Sequence, residues 1–221
     1  MAASAASAPS LAGHAWWLAS RAAGLLALGL ITIAVAIGLA LGGRLARRPG
    51  LPRILSAIHE QVAMLAIVAV AVHGLTLLGD PWLDPGIAGI SIPFAMSYRP
   101  LWTGLGIIGG YVAALLGLSF YARRRIGPRL WRHAHRFTIV AYALAVVHTV
   151  GAGTDASTPW LRWWLALSLP AILVLFAMRL LSGLRRSRRP ASAPGHRPRP
   201  ERHRPLPEAV QRAPMPLGEE A

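Results

Sequence analysis

The sequence predicts an all-α fold, a polytopic membrane helical bundle of about five transmembrane helices with its N-terminus out and its C-terminus in. Three observations predict it. Of 221 residues, 54% are hydrophobic and 14% charged, where an ordinary globular domain is about a quarter charged. Stretches free of Asp, Glu and Arg occur at 22–43, 61–79, 100–122, 137–154 and 163–178, each near the length that crosses roughly 30 Å of hydrocarbon at about 1.5 Å per residue. The basic residues alternate between loops. Arg44, Arg47, Arg48 and Arg53, then Arg123, Arg124, Arg125, Arg129 and Arg132, fall on one side, while Arg21, Arg99 and Arg162 share the other with Asp80, Asp84 and Asp155. The positive-inside rule makes the first side cytoplasmic.

Taken in order, residues 1–15 form a short external segment, and the apolar run after it is too long for a signal-peptide core, so the first helix is retained. The second span extends back past Glu60 and His59 to Pro52, because 54–58 continue the apolar pattern. Residues 80–100, punctuated by Pro and Gly, read as an external loop. The fifth span extends to 159–181: Arg162 and Arg179 can snorkel their stems, and Trp160, Trp163 and Trp164 anchor the interface. Residues 16–182 are thus the membrane domain. The remainder, 183–221, is an Arg- and Pro-rich cytoplasmic tail with too few apolar residues to bury a core, and disorder is expected. Its arginines fit a topology anchor touching anionic lipid better than a nucleic-acid-binding arm.

Every one of the 23 basic side chains is Arg, the mark of a GC-rich coding bias, which says nothing of chemistry. The absence of cysteine removes disulfides, thiol nucleophiles, thiolate zinc sites and cysteine-ligated clusters together. No internal repeat, Gly-rich phosphate loop, Ser/His/Asp arrangement or dinucleotide fingerprint appears.

The informative residues are four histidines within spans: His59 and His73 on the second, His135 and His148 on the fourth. Ionisable residues in lipid are functional candidates. Both spans run from inside to outside under the assigned topology, so His59 levels with His135 and His73 with His148, the two levels roughly 20 Å apart. Facing imidazoles can clamp one iron from both sides, which closes both axial positions of a haem and leaves an electron carrier with no open site for substrate. A porphyrin suits a bundle interior, with Arg near the interfaces for its propionates. Azimuth supports half of this. Fourteen residues bring His73 to within about 40° of the face of His59, but thirteen leave His148 about 140° from His135. His133, fifteen residues from His148, lies only about 60° off. A bend, a π or 3₁₀ turn, or approach of two porphyrins from different sides would restore His135; without one, His133 competes for the role.

Ile58-His59 through His73, Pro93-Phe94 followed by Tyr98-Arg99-Pro100, Trp131 with His135, and His148 leading into Ala152-Gly153-Thr154-Asp155 before Pro159-Trp160 resemble the ferric reductase-like transmembrane domain over about residues 16–181. That family includes the membrane parts of ferric reductases and NADPH oxidases and the haem subunit of the bacterial methionine sulfoxide reductase system. The resemblance implies haem b, two groups if all four histidines serve, and favours His135 over His133 through the preceding Trp131. It implies a multi-pass protein of the bacterial plasma membrane that moves electrons to an external ferric ion or redox protein. Larger members have six spans and a flavin and nicotinamide domain; this chain offers five spans and no flavin or NAD(P) site, so its donor would be a separate flavoprotein or a quinone.

Smaller features carry competing meanings. Gly38 with Gly42 and Gly106 with Gly110 are small-xxx-small patterns that serve close helix packing more often than a porphyrin. Arg21 and Arg99 are the candidate propionate partners among the interfacial arginines, and Tyr142, midway between His135 and His148, is a candidate bridge between haems or a packing aromatic. Glu60 fits a hydrogen bond, an Arg partner or the headgroups. Asp80, Asp84 and Asp155 suit turns and caps better than capture of external ferric ion. Two rivals use the same residues differently: a cofactor-free transporter or proton path through the intramembrane histidines, and a membrane adaptor acting through its Arg-rich tail.

Overall fold

The computed structural model describes residues 11–45 and 48–187, with side chains described from 14 to 184. The expectations for most of the N-terminal segment and for the tail beyond 187 fall outside these residues. Among the described residues the structure is helical without strands: α1 Leu11–Gly42, α2 Leu51–Thr76, α3 Gly86–Ser91, α4 Pro100–Ile126, α5 Pro128–Ala134, α6 Thr138–Ala152 and α7 Pro159–Ser187. Single 3₁₀ turns follow α2 at Leu77–Gly79 and join α5 to α6 at His135–Phe137.

Among the described residues four helices are long and apolar enough to cross a membrane: His14–Gly42, Leu51–Gly79, Pro100–Ile126 and Pro159–Leu184. The expected fourth span is shorter. Its regular part, α6, has 15 residues, about 22 Å at 1.5 Å per residue. The 3₁₀ turn and α5 precede it without a break, so helical backbone runs from 128 to 152.

Helix α1 begins well before the charge-free run at residue 22, because Arg21 does not interrupt it. The Arg21 guanidinium lies over the Trp17 ring and is bound by Asp155, so the charge is accommodated within the helix. Punctuation elsewhere follows the sequence. Gly50 at φ 80° turns the chain into α2, and Gly127 at φ 91° ends α4 and admits Pro128 at the start of α5. The 80–100 loop holds one short helix, α3, entered from Pro85, and the Asp80 carboxylate accepts from the Trp82 and Leu83 amides, which fixes the turn before it.

Helix α1 is the most buried of the four spans and packs along α2, while α4 packs along α6. The core lies where Leu28, Val35 and Leu39 of α1 meet Tyr142 and Val146 of α6 and Leu161 and Ile172 of α7. Most other large apolar side chains, including Leu65, Leu115 and Leu167, face outward, as lipid solvation of a bundle allows. Helices α2 and α6 have no extensive backbone packing of their own and are held opposite each other by their partners.

Candidate functional site

Across that separation the four histidines meet in two pairs. The His59 and His135 ring centroids lie 6.1 Å apart with planes at 87°, and those of His73 and His148 lie 6.2 Å apart at 68°. Two metal–nitrogen bonds of about 2 Å, with about 1.1 Å from each nitrogen to its ring centre, place facing imidazoles about 6.2 Å apart. The centroid spacing of both pairs matches that distance. Among the described residues no group of three or more His, Cys, Asp or Glu gathers; each site is a pair of imidazoles.

The ring orientations are set by neighbouring backbone. The Nδ1 of His59 donates to the Ala34 carbonyl at 2.9 Å, that of His73 to the Ser20 carbonyl at 2.8 Å, and that of His148 to the Trp102 carbonyl at 2.9 Å. A carbonyl only accepts, so the proton of these three rings is on Nδ1, and Nε2 keeps the lone pair a metal takes. Ser20 closes a two-way clasp on His73: its hydroxyl lies 3.0 Å from Nδ1 and donates to the His73 carbonyl at 3.0 Å. His135 differs. Its buried Nδ1 makes no hydrogen bond, and its ring stacks on Trp131 at 4.9 Å and 25°. Trp131 is itself tied to the Ser119 hydroxyl through Nε1 at 3.1 Å.

Glycines on adjacent helices make room for three of the rings. A Cβ at Gly106 would lie 2.5 Å from His148 Nδ1, one at Gly24 2.9 Å from His73 Nδ1, and one at Gly38 3.2 Å from His59 Cε1. Gly38 and Gly106 therefore give space to imidazoles, whereas Gly42 meets the Arg179 guanidinium and Gly110 a methyl of Val70. Both patterns were expected to serve helix packing. Half of each does.

The other candidates separate. His133 is exposed and its Nδ1 bonds the Arg129 carbonyl at 2.9 Å, one turn back on its own helix; it meets no second histidine. Arg21, a candidate propionate partner, directs Nε to Asp155 Oδ2 at 2.6 Å and Nη2 to Oδ1, so its fork is already bound. Asp155 lies in the turn expected, where its carbonyl accepts from Thr158, and its buried side chain is an ion-pair partner. Arg99 sits in the left-handed region at φ 44° ahead of Pro100 and donates to the Gly151 carbonyl at 2.6 Å. Tyr142 is buried in the α1–α6–α7 core, its hydroxyl without a hydrogen bond. Glu60 accepts from the Tyr121 hydroxyl at 3.4 Å. Ser20 and Gly24 escaped the sequence reading. Their only signal was position, small residues on α1 that become meaningful once α1 is known to lie along α2.

Comparison with curated proteins and with solved structures finds no match. The family model described as "Ferric reductase like transmembrane component" matches residues 23–146, more than half of the chain and the stretch that holds His59, His73 and His135. The chain therefore belongs to the ferric reductase-like transmembrane component family.

Proposed function

We propose that this chain is a membrane b-type cytochrome of the bacterial plasma membrane that transfers electrons across the bilayer through two haems, one between His59 and His135 and one between His73 and His148. The observation that carries the reading is the equal spacing of the two imidazole pairs, 6.1 and 6.2 Å, matched to two axial ligands on one iron. The haem, when bound, supplies reversible one-electron exchange. The chain does the rest: it fixes the Nδ1-protonated tautomer at three rings and keeps α2 and α6 apart. On this reading α5, the 3₁₀ turn and α6 together form a fifth span, the N-terminus is outside, and the His59–His135 pair is the inner one. A flavoprotein or quinone donates on the cytoplasmic side, and a ferric ion or redox protein accepts outside.

A proton path through the same histidines needs Nδ1 and Nε2 both free to relay, and three of the four Nδ1 atoms are committed to carbonyls. The test is the visible spectrum of protein purified with adequate haem supply, before and after dithionite. Sharp reduced α and β bands with about two haems per chain are expected. A colourless preparation sinks the proposal.

A further inference from the structure

We infer that the two haem sites are built unequal, the inner pair having the higher reduction potential, so that a singly reduced protein holds its electron on the cytoplasmic side. This rests on the bis-histidine reading above and adds which site is which. Two observations independent of each other point the same way.

The first is hydrogen bonding at the ligands. An imidazole whose N–H is drawn toward a carbonyl is a stronger donor to its metal and favours the ferric state. Both outer rings have this bond, His148 to Trp102 and His73 to Ser20, the latter with the hydroxyl also at 3.0 Å. Only one inner ring has it, since the Nδ1 of His135 is without a hydrogen bond. The second is charge. Near the outer pair, Arg21 is neutralised by the buried Asp155, and Arg99 is exposed. At the inner pair, Arg179 of α7 is half-buried against Gly42, one turn along α1 from the Gly38 that gives room to His59, with no carboxylate partner among the described residues, and Arg136 follows His135 in the chain. Glu60 beside His59 offsets one of these two positive charges. A net positive charge near an iron favours its ferrous state. Arg179 lies outside the family match, which ends at 146, so this tuning is a property of this chain's last helix.

The experiment is a spectroelectrochemical titration of the purified holoprotein, followed at the reduced α band and by electron paramagnetic resonance of the ferric form. Wild type is expected to titrate as two components, and His148→Ala to lose the lower one, which assigns it to the outer pair. Arg179→Gln is expected to move only the higher component downward, and Ser20→Ala and Asp155→Asn only the lower one upward. A tenfold change in the oxidised-to-reduced ratio at fixed potential is the expected scale for losing one such partner, which is about 59 mV for one electron. Loss of the higher component in His148→Ala, or a shift of the lower component in Arg179→Gln, overturns the inference while leaving bis-histidine ligation intact. Where Arg179→Gln does not assemble, Arg179→Met and Ser20→Ala decide it by the same criterion. Absence of haem from wild type overturns the functional proposal instead.

Discussion

Replacing Gly106 with alanine tests whether space around the histidines, rather than their presence alone, makes the site. The new Cβ would lie 2.5 Å from Nδ1 and 2.6 Å from Cγ of His148, about 1 Å inside an ordinary contact of roughly 3.5 Å. The clash includes Cγ, one bond from the Cβ fixed by the α6 backbone, so rotating the ring alone does not relieve it. Overpacking of this kind costs about 1–3 kcal/mol. Displacing the ring also breaks its 2.9 Å bond to the Trp102 carbonyl, worth about 0.5–1.5 kcal/mol. Together they weaken retention of a haem at that pair by about tenfold to a thousandfold, at about 1.4 kcal/mol per decade. The assay is haem per chain, by pyridine haemochrome against protein, after purification in detergent. Gly106→Ala is expected to approach one haem instead of two. Gly24→Ala, with its Cβ 2.9 Å from His73, should lose less, and Gly38→Ala, at 3.2 Å from His59, least. Gly29 and Gly74 have nothing within 4 Å of an added Cβ, and alanine there should only favour the helix. Full haem content in Gly106→Ala, or loss in Gly74→Ala beside His73, refutes the reasoning.

Further outcomes follow from the same geometry. His135→Ala should remove one haem and His133→Ala none, read from the haem ratio; the reverse would return the ligand role to the competitor. Asp155→Ala and Arg21→Ala should lower the melting temperature in detergent by similar amounts and the double variant by little more, because one bidentate pair is lost in each case; additive losses would show that the two residues act apart. Trp131→Ala should disturb the electron paramagnetic resonance of the ferric inner site alone, since its ring stacks on His135 and on no other histidine. Deleting 188–221 should leave both haem components in place, whereas an adaptor acting through its tail would lose its partner on the same deletion.

What could be read without coordinates was whatever depends on composition and spacing within one helix: the apolar runs and the shared face of His59 and His73. What could not was whatever depends on which helix lies beside which. Ser20 and Gly24 are ordinary small residues until α1 is laid along α2, and Asp155 looks like a loop residue until Arg21 arrives from 134 positions away.

The sequence left one contradiction open, and its resolution is local. His59 and His73 are 14 residues apart and His135 and His148 only 13, so two regular helices cannot present both pairs at matched depths and faces. The structure has a 3₁₀ turn at His135–Phe137, the start of the shorter interval. Three residues rising about 2.0 Å each and ten rising about 1.5 Å each span about 21 Å, the same as fourteen α-helical residues. The turn also advances about 120° per residue instead of 100°, which cuts the mismatch of His148 against His135 from about 140° to about 80°. One tightened turn thus supplies the missing rise and much of the missing rotation. His135 still caps α5 through its N–H to the Trp131 carbonyl, so the change of pitch begins at that residue, while the His133 ring stays bonded to the Arg129 carbonyl of its own helix. Residue 135 meets His59 because the backbone changes pitch there, and a variant that regularised that turn would be expected to lose the inner pair first.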